Sequence, residues 1–300
     1  MNENKKVFFI INKFSGTGYL PEVEGRIITR CGELNLECTI EFTKERGHGK
    51  DLAKEALQKN FDTVFAVGGD GTINEVAQGL INSNATMGII PKGSGNGLAR
   101  HLGIPLKLNQ ALNLLQYGRP IEMDTIRING NLSLNVSGIG FDAHIAKLFQ
   151  ANEKRGLSTY AKLTLSEFWK YNEFASTAIL DGNKIASDVF MLSIANSSQF
   201  GNDARIAPEA SVCDGLMDIC FLKKVPILSL APFAQKMFSG RIHQSRFMNI
   251  VKAKKMDIHF ATPVAYHIDG EAMKPESDFS VEICPASLKV LVPKNSTTQF

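Results

Sequence analysis

Hydrophobic and polar positions alternate along the first 120 residues in a pattern that predicts buried strands separated by amphipathic helices. Four short apolar runs rich in β-branched and aromatic residues predict strands at residues 7–11, 38–42, 63–67 and 87–90. Segments with apolar residues at helical spacing predict helices at residues 22–34, 50–58, 73–81 and 108–115. This alternation predicts an α/β domain with a parallel sheet, in which ligand sites lie beyond the carboxyl ends of the strands.

The pattern changes after about residue 120, where strand-like segments follow one another with few helices between them. The predicted strands are 121–129, 131–139, 177–180, 184–194, 216–222, 256–260, 264–268 and 279–283. Two helical stretches interrupt them, at 159–171 and 228–238. We therefore expect a second, β-rich and mostly antiparallel domain. The predicted domains are 1–122 for the α/β part, 123–287 for the β-rich part, and 288–300 as a segment compatible with packing back onto the first.

The most informative loop follows the third predicted strand, where the apolar run stops at paired glycines before a helical segment. This loop consists of Gly68, Gly69, Asp70, Gly71 and Thr72. Glycine lets the backbone approach a bulky anion, and a helix N-terminus offers unpaired N–H groups at the positive end of its dipole. A carboxylate here repels phosphate unless a divalent cation lies between them or the carboxylate handles a proton. Asp70 is therefore a candidate metal ligand and a candidate catalytic residue.

Two further glycine-rich loops follow the first and fourth predicted strands. The first of them supplies Asn12, Ser15 and Gly16. The other supplies Gly93, Ser94 and Asn96. Taken alone, the loop after the first strand is equally compatible with an ordinary turn. Because parallel strands end at one edge of their sheet, the three loops are expected to converge, and together they predict a site for a polyphosphate nucleotide.

The composition is that of a globular enzyme, and it limits the partners and the compartment. Hydrophobic residues make up 44% of the 300 residues and the net charge is only +3, which gives no argument for nucleic acid as a partner. The five cysteines contain no C-x-x-C pair, so neither a disulfide framework nor a zinc site is expected. With no apolar run long enough for a signal peptide core or a membrane span, we expect a cytoplasmic protein.

Several motifs follow one another along nearly the whole chain. They are Gly68 to Thr72 with Asn74-Glu75, Pro91 to Arg100, Gly140-Phe141-Asp142-Ala143, Ala207-Pro208 with Asp214-Gly215, and Asp269-Gly270-Glu271. In identity and order they resemble the motifs of the diacylglycerol kinase-like lipid kinases, which include bacterial diacylglycerol kinases and sphingosine kinases. The Gly-Gly-Asp-Gly-Thr element is shared with NAD kinases and, more distantly, with phosphofructokinases, so the resemblance implies a first domain of that type.

The resemblance implies ATP bound between the two domains, with magnesium and the three loops around its phosphates. The nucleotide-binding residues that it implies are Asn12, Ser15, Gly16, Thr43, Gly68, Gly69, Asp70, Gly71, Thr72, Glu75, Gly93, Ser94 and Asn96. It also implies a catalytic role for Asp269 and Glu271. Phosphoryl transfer needs a carboxylate that can take the proton of the acceptor hydroxyl, and either Asp269 or Asp70 could do so. We favour Asp269 as the base, with Glu271 in support and Asp70 at the metal and phosphates.

Four further positions in the second domain are candidate contacts, and the resemblance implies a role for the first two. Asp142 matches an acid that contacts the substrate in sphingosine kinases, although bacterial diacylglycerol kinases share the motif. Asp214 matches a structural magnesium ligand of some bacterial members, the alternative being an aspartate in a solvated turn. Lys154 and Arg155 are candidate phosphate contacts and are equally compatible with solvated charges.

A basic stretch points to a membrane surface as a partner. Residues 219–256 contain no acidic residue but many lysines, arginines and large apolar side chains. We expect reversible contact with an anionic membrane through Lys252, Lys254 and Lys255, the alternatives being nucleic acid or a solvated basic face. A homodimer remains open.

The sequence thus predicts an ATP-dependent lipid kinase, located in the cytoplasm and at the membrane surface, that phosphorylates a hydroxyl of diacylglycerol or of a sphingoid base. Two other functions remain open at this point. One is an NAD kinase, and the other is a regulator that binds nucleotide or lipid without catalysis. The candidate carboxylates Asp70, Asp269 and Glu271 argue against the regulator, because a protein that only binds has no need of a proton acceptor.

Overall fold

The computed structural model describes residues 6–16, 21–152 and 157–294. The chain forms two compact units. One comprises Met1–Met123 with Ala286–Phe300, and the other Asp124–Pro285. The domain boundaries expected from the sequence were 122/123 and 287/288. Lys154 and Arg155, the candidate phosphate contacts, lie outside the described residues.

The first unit is built on parallel strands joined by helices. Its strands are β1 (Lys6–Ile11), β2 (Glu37–Phe42), β3 (Thr63–Gly68) and β4 (Thr86–Pro91). Its helices are α1 (Glu22–Glu33), α2 (His48–Gln58), α3 (Asp70–Leu80), α4 (Gly97–His101), α5 (Leu108–Ala111) and α6 (Leu114–Tyr117). The strands lie in the order β2-β1-β3-β4, and the end of a long last strand continues this order in parallel beside β4. The helix expected over 108–115 is two single-turn helices, and Asn113, a poor helix former, precedes the second.

Burial explains why these strands form. Every residue of β1, β3 and β4 except the first of each is buried, whereas the edge strand β2 is partly exposed along its length. Aromatic side chains fill the interior, and Phe9 stacks on Phe65 with ring centroids 5.1 Å apart. A sheet of parallel strands is buried on its faces and so takes nearly continuous apolar runs, which is the pattern that the sequence carries.

The second unit consists mainly of antiparallel strands. Its strands are β5 (Gly118–Ile128), β6 (Asn131–Ser133), β7 (Val136–Gly140), β8 (Phe174–Leu180), β9 (Asn183–Val189), β10 (Met191–Ala195), β11 (Met217–Leu222), β12 (Met248–Ala253), β13 (Lys255–Val264), β14 (Tyr266–Ile268), β15 (Glu271–Ala272) and β16 (Glu276–Pro293), of which β5 begins and β16 ends in the first unit. Its helices are α7 (Phe141–Gln150), α8 (Leu157–Phe168) and α9 (Ile227–Phe238), with a short 3-10 helix at Ile242–Gln244.

Two layers of strands enclose the core of this unit. One layer has the order β12-β11-β10-β7-β14-β15 and is antiparallel throughout, and the other joins β13 to β8 and β16. Ile194 and Phe221 from the first layer and Ile258 and Phe279 from the second belong to one buried cluster. A second cluster on the other face of the first layer includes Phe190, and α9 packs against it. The predicted fold class, α/β followed by an antiparallel β-rich part, is confirmed.

Two predicted strands are each divided in the structure. Residues 131–139 form β6 and β7 with Leu134 and Asn135 between them, and residues 184–194 form β9 and β10, which belong to different layers. The first division has a clear cause, because the N–H groups of Leu134 and Asn135 bond to a distant side chain and not to a neighbouring strand. That side chain is Asp269, one of the predicted catalytic residues.

Candidate active site

Two of the glycine-rich loops of the first unit pack backbone against backbone. A Cβ atom on Gly93 would lie only 2.7 Å from the Cα of Gly69, and one on Gly68 only 2.5 Å from the side chain of Thr72. The N–H of Lys92 donates to the carbonyl of Gly68 at 2.7 Å. Such contacts leave no room for any side chain at these positions. The loops that follow β3 and β4 therefore form one compact structure at the carboxyl ends of their strands.

The loop after β1 joins the same structure. The Asn12 side chain donates to Thr72 Oγ1 at 2.9 Å, and its Oδ1 accepts from the N–H of Phe14 at 2.9 Å. The Ser15 hydroxyl donates to the carbonyl of Asn12 at 3.0 Å. A Cβ on Gly16, which has φ +65°, would meet the carbonyl oxygen of Lys92. The structure thus brings all three predicted loops together, although the end of the first loop, at Thr17 and Gly18, lies outside the described residues.

Helix α3 begins within this group of loops. Gly69 is its N-cap residue in an extended conformation, and no side chain among the described residues caps this end. The first intrahelical bond runs from the N–H of Ile73 to the carbonyl of Gly69 at 3.0 Å, so the preceding N–H groups have no partner within the helix. Asp70 lies in this first turn and is partly buried. The arrangement is one that binds a phosphate-sized anion through backbone N–H groups.

Asn96 fixes the shape of the loop after β4. Its Oδ1 accepts from the N–H of Gly93 at 2.8 Å, and its Nδ2 donates to the carbonyl of Gly93 at 2.8 Å. Asn96 has φ +51°, which asparagine tolerates better than most residues, and its side chain is buried. Ser94, between the two bonded residues, is exposed. Asn96 therefore holds the loop, while Ser94 is the side chain that the loop presents to solvent.

Two residues that the sequence predicts to bind nucleotide, Glu75 and Thr43, form hydrogen bonds within this unit. The carboxylate of Glu75 accepts from the N–H of Gly47 at 2.8 Å and from that of Gly49 at 3.1 Å, and so caps the start of α2. Thr43 is buried, and its N–H donates to the carbonyl of Ile11 at 3.0 Å. Their contact with a nucleotide stays a prediction, and the bonds described here show that Glu75 orients α2.

In the second unit, Asp269 and Gly270 form the turn between β14 and β15. Both have positive φ, +49° and +88°, as a two-residue hairpin turn of type I′ requires. Asp269 Oδ1 accepts from the Ser133 hydroxyl at 2.8 Å and from the Asn135 N–H at 3.0 Å, and Asp269 Oδ2 accepts from the Leu134 N–H at 2.9 Å. This side chain therefore binds the segment between β6 and β7.

A ring of hydrogen bonds completes the contact of Asp269 with that segment. Its backbone N–H donates to Ser137 Oγ at 3.2 Å, and Ser137 Oγ lies 2.8 Å from Ser133 Oγ. Since Ser133 donates its proton to Asp269, Ser137 is the donor of the bond between the two serines. Both serines are completely buried. These contacts give Asp269 a positioning role, and its role as a base stays a prediction, as does the supporting role of Glu271 on β15.

A buried pair that the sequence analysis missed lies beside this turn. His267 Nδ1 accepts from the N–H of Gly270 at 3.1 Å, so the proton of a neutral imidazole is on Nε2, which lies 3.3 Å from Asp142 Oδ2. Asp142 Oδ1 accepts from the N–H of Ala143 at 2.8 Å. Burial and, secondly, the charge of Asp142 raise the pKa of Tyr171 to about 12. Asp142 is thus a buried carboxylate with two described partners, and its contact with a substrate stays a prediction.

In the structure the Asp214 carboxylate is paired with a lysine, and a magnesium ion at this position stays a prediction. The Lys252 ammonium lies 2.9 Å from Asp214 Oδ2 and 3.1 Å from Asp218 Oδ2, and so bridges the two carboxylates. Burial raises the pKa of Asp218, although Lys252 opposes this rise. Within the described residues no three His, Cys, Asp or Glu side chains are grouped to hold a metal. A magnesium ion that enters with nucleotide phosphates needs only one or two carboxylates, and Asp70 at the start of α3 fits that requirement.

Comparison with known proteins decides the family. Residues 6–128 match the family described as diacylglycerol kinase catalytic domain, and residues 135–292 match the YegS C-terminal NAD kinase beta sandwich-like domain. This chain belongs to the diacylglycerol kinase-like lipid kinase family. The resemblance seen in the sequence is confirmed, and the protein is a kinase.

Individual relatives extend over almost the whole chain. A protein of Pectobacterium atrosepticum named "Probable lipid kinase YegS-like" is 28% identical, and the match covers 98% of both chains. The Bacillus subtilis protein named "Diacylglycerol kinase" is 26% identical over 89% of this chain and 90% of its own. The crystal structure of a diacylglycerol kinase from Bacillus anthracis shares the fold, with a TM-score of 0.75 at 21% identity over 97% of this chain and 98% of that one. None of the helices described is both long and apolar enough to cross a membrane.

Proposed function

We propose that this lipid kinase uses ATP and transfers its γ-phosphate to the free hydroxyl of diacylglycerol. The observation that carries the proposal is the convergence of three glycine-rich loops with the N-terminus of α3 and Asp70 at the carboxyl ends of parallel strands. A polyphosphate group is the ligand that such backbone donors suit. The name of the Bacillus subtilis relative supports the choice of acceptor.

Each part of this group of loops has a role in the proposed reaction. Phosphoryl transfer depends mainly on positioning and on the screening of phosphate charge. The N–H groups at the start of α3 bind phosphate oxygens, while Asn12 and Asn96 keep the loops in place through the bonds described above. Asp70 would hold a magnesium ion bound to the phosphates, and that ion would neutralise the charge that develops during transfer.

The surroundings of Asp142 favour a glycerolipid over a sphingoid base. An amino-alcohol head group would be recognised by a carboxylate that faces its ammonium group. In this chain Asp142 is 5% exposed and bonds to His267 and to the N–H of Ala143. A diacylglycerol head carries no charge and does not need such a partner. Diacylglycerol is therefore our first choice, and a sphingoid base is the alternative outcome of the test.

The test is incubation of the purified protein with radiolabelled ATP, magnesium and a total lipid extract, followed by identification of the labelled product by mass. We expect phosphatidic acid, and about a hundredfold less of it or lower with Asp70→Asn. A labelled sphingoid base would show that the acceptor is not diacylglycerol, but it would leave the assignment as a lipid kinase intact. Transfer of label to NAD in the absence of lipid, or no transfer to any lipid, would refute the proposal.

A further inference from the structure

Helix α9 is mostly apolar and yet lies at the surface. Of its twelve residues, Ile227–Phe238, only Ser229, Gln235 and Lys236 are polar, and none of the twelve is buried. Ile227 is 61% exposed, Leu228 91% and Phe238 51%. A helix that is hydrophobic all round is normally buried in a protein or in a membrane. The exposed side of α9 therefore indicates an interaction surface.

The opposite side of α9 is fixed to the second unit. Leu230, Phe233 and Met237, spaced at helical intervals, pack against the buried cluster that contains Phe190. The helix is thus held in place by one face, and the other, with Leu228, is presented to the surroundings. An exposed apolar surface on a fixed element is a typical feature of an interaction site.

The charged residues of the segment that contains α9 are all basic, although the exposed Glu173 from a preceding segment accepts from the N–H of Lys224 at 2.6 Å. Residues 219–256 contain no acidic residue. Lys223 before the helix and Arg241 after it are exposed. Lys224 is partly buried, and its ammonium group binds the carbonyl of Tyr171. Positive charge at the ends of an apolar helix complements an anionic bilayer, in which apolar side chains enter the acyl boundary and basic ones contact the head groups.

A second exposed apolar group lies close to the start of α9. Trp169, which follows α8, is 53% exposed, and Leu165 is 62% exposed. The bond from Lys224 to the carbonyl of Tyr171 joins this segment to the chain just before α9. Tryptophan is enriched at membrane interfaces because its ring is apolar and its N–H is polar. Both segments therefore expose large apolar side chains.

The lysines that the sequence pointed to have other contacts in the structure. Lys252 bridges Asp214 and Asp218, and the Lys255 ammonium lies 3.3 Å from Asp257. The N–H of Lys254 donates to Asp181 at 3.0 Å in the turn before β13. Acidic side chains thus face two of the three ammonium groups. A reversal of charge at Lys252 would disturb internal ion pairs, whatever its effect on a membrane.

We propose that α9, with Lys223 and Arg241 at its ends and Trp169 on the segment that Lys224 contacts, docks on the surface of an anionic bilayer. Ile227, Leu228 and Phe238 enter the acyl boundary, and the two basic side chains contact the head groups. The proposal deepens the proposed function, since it names the surface from which a lipid substrate would be reached. It concerns binding alone, so it can be tested without nucleotide.

The test is co-sedimentation of the full chain with phosphatidylcholine vesicles, with or without phosphatidylglycerol. We expect the wild type to bind the anionic vesicles. The affinity should fall by about tenfold or more for Ile227→Ser combined with Leu228→Ser, and by about fivefold for Lys223→Glu. Ile28→Ser is the matched control, because Ile28 is 56% exposed on α1 in the first unit and should have no effect. Thermal unfolding midpoints within a few degrees of wild type would show that the variants fold.

Unchanged vesicle binding in the α9 variants, or no binding by the wild type, would overturn the proposal. So would a concentration-dependent dimer that the α9 variants abolish, since a second copy of the chain would then cover the helix. Phosphorylation of detergent-dispersed lipid is measured in parallel. The α9 variants should retain it, and its absence in the wild type would contradict the proposed function without affecting the vesicle result.

Discussion

Two of the Asp-Gly pairs in the chain, at Asp70 and at Asp269, lie in turns that use backbone N–H groups in opposite ways. At Asp70 in the first unit, the first N–H groups of α3 have no partner within the helix and lie beside packed glycine loops, an arrangement suited to an external anion. At Asp269 in the second unit, N–H groups from Leu134 and Asn135 converge on the aspartate itself. The second turn therefore contains its own anion.

This difference suggests that Asp70 lies at a ligand-binding site and that Asp269 positions a segment of the fold. The first turn leaves the protein with donors for a phosphate, and its carboxylate is suited to a metal ion that accompanies one. The second satisfies the backbone of an irregular segment that would otherwise lack partners. On our proposal the same pair of residue types binds a ligand in one unit, while it supports the fold in the other. Variants of the two aspartates should differ accordingly.

Asp70→Asn should have the largest effect on activity. The amide removes the charge needed beside magnesium and phosphate, and we expect turnover to fall by about a hundredfold or more. Asparagine is well tolerated near a helix N-terminus, so the thermal unfolding midpoint should stay within a few degrees of wild type. Lipid phosphorylation and thermal unfolding measure the two quantities. Turnover within a few-fold of wild type would show that Asp70 is not at the reacting phosphate.

Asp269→Asn should lower stability as well as activity. Asparagine tolerates φ +49°, so the backbone of the turn is kept, but the variant loses charge-assisted bonds to Ser133, Leu134 and Asn135. We expect the free energy of unfolding in urea to fall by about 3 kcal/mol. Ser133→Ala keeps the carboxylate and should lose about 1 kcal/mol. Lost turnover in Asp269→Asn with unchanged stability would instead support the base role.

Gly93→Ala should weaken nucleotide binding by moving the first unit's loops apart. The added Cβ would lie 2.7 Å from Gly69 Cα and 2.9 Å from Asn96 Oδ1, so the backbone must shift. We expect the Kd for ATP to rise by about tenfold. Gly25→Ala is the matched control. Nothing lies within 4 Å of its Cβ on α1, and it should raise stability by about 0.5–1 kcal/mol. Equal ATP affinity in both variants would contradict the packing of these loops.

Lys252→Met should make the thermal stability of the protein depend on divalent cations, and we expect no such dependence in the wild type. The change leaves Asp214 and Asp218 without the ammonium between them. Because the Lys252 side chain is 36% exposed, we expect the free energy of unfolding to fall by only about 1–2 kcal/mol. Calcium or magnesium should restore part of the unfolding midpoint in this variant but not in Lys254→Met. If the wild type were itself stabilised by these cations at Asp214, the bridging role of Lys252 would be refuted.

Local sequence patterns predicted the first unit well. Each glycine loop there follows an apolar run that becomes a buried strand, so both the strand and the loop could be derived from neighbouring residues. The second unit depends on contacts between residues far apart in the chain. Asp269 bonds to Asn135, His267 to Asp142, and Lys252 to Asp214.

No local pattern indicates such contacts. For this reason the break between β6 and β7 and the buried histidine were missed. The position of His267, two residues before the turn aspartate, was the one signal available, and alone it indicates only a histidine on a strand. The surface position of α9 could not be predicted from the sequence either, because its apolar residues have the same pattern as those of a buried helix.

The most direct test of the difference between the two turns is the affinity for ATP with magnesium, measured by calorimetric titration of wild type, Asp70→Asn and Asp269→Asn. If the phosphates bind at Asp70 and Asp269 positions the fold, Asp70→Asn should weaken binding by about tenfold or more, while Asp269→Asn stays within about twofold. Equal losses in the two variants, or a loss confined to Asp269→Asn, would contradict this assignment.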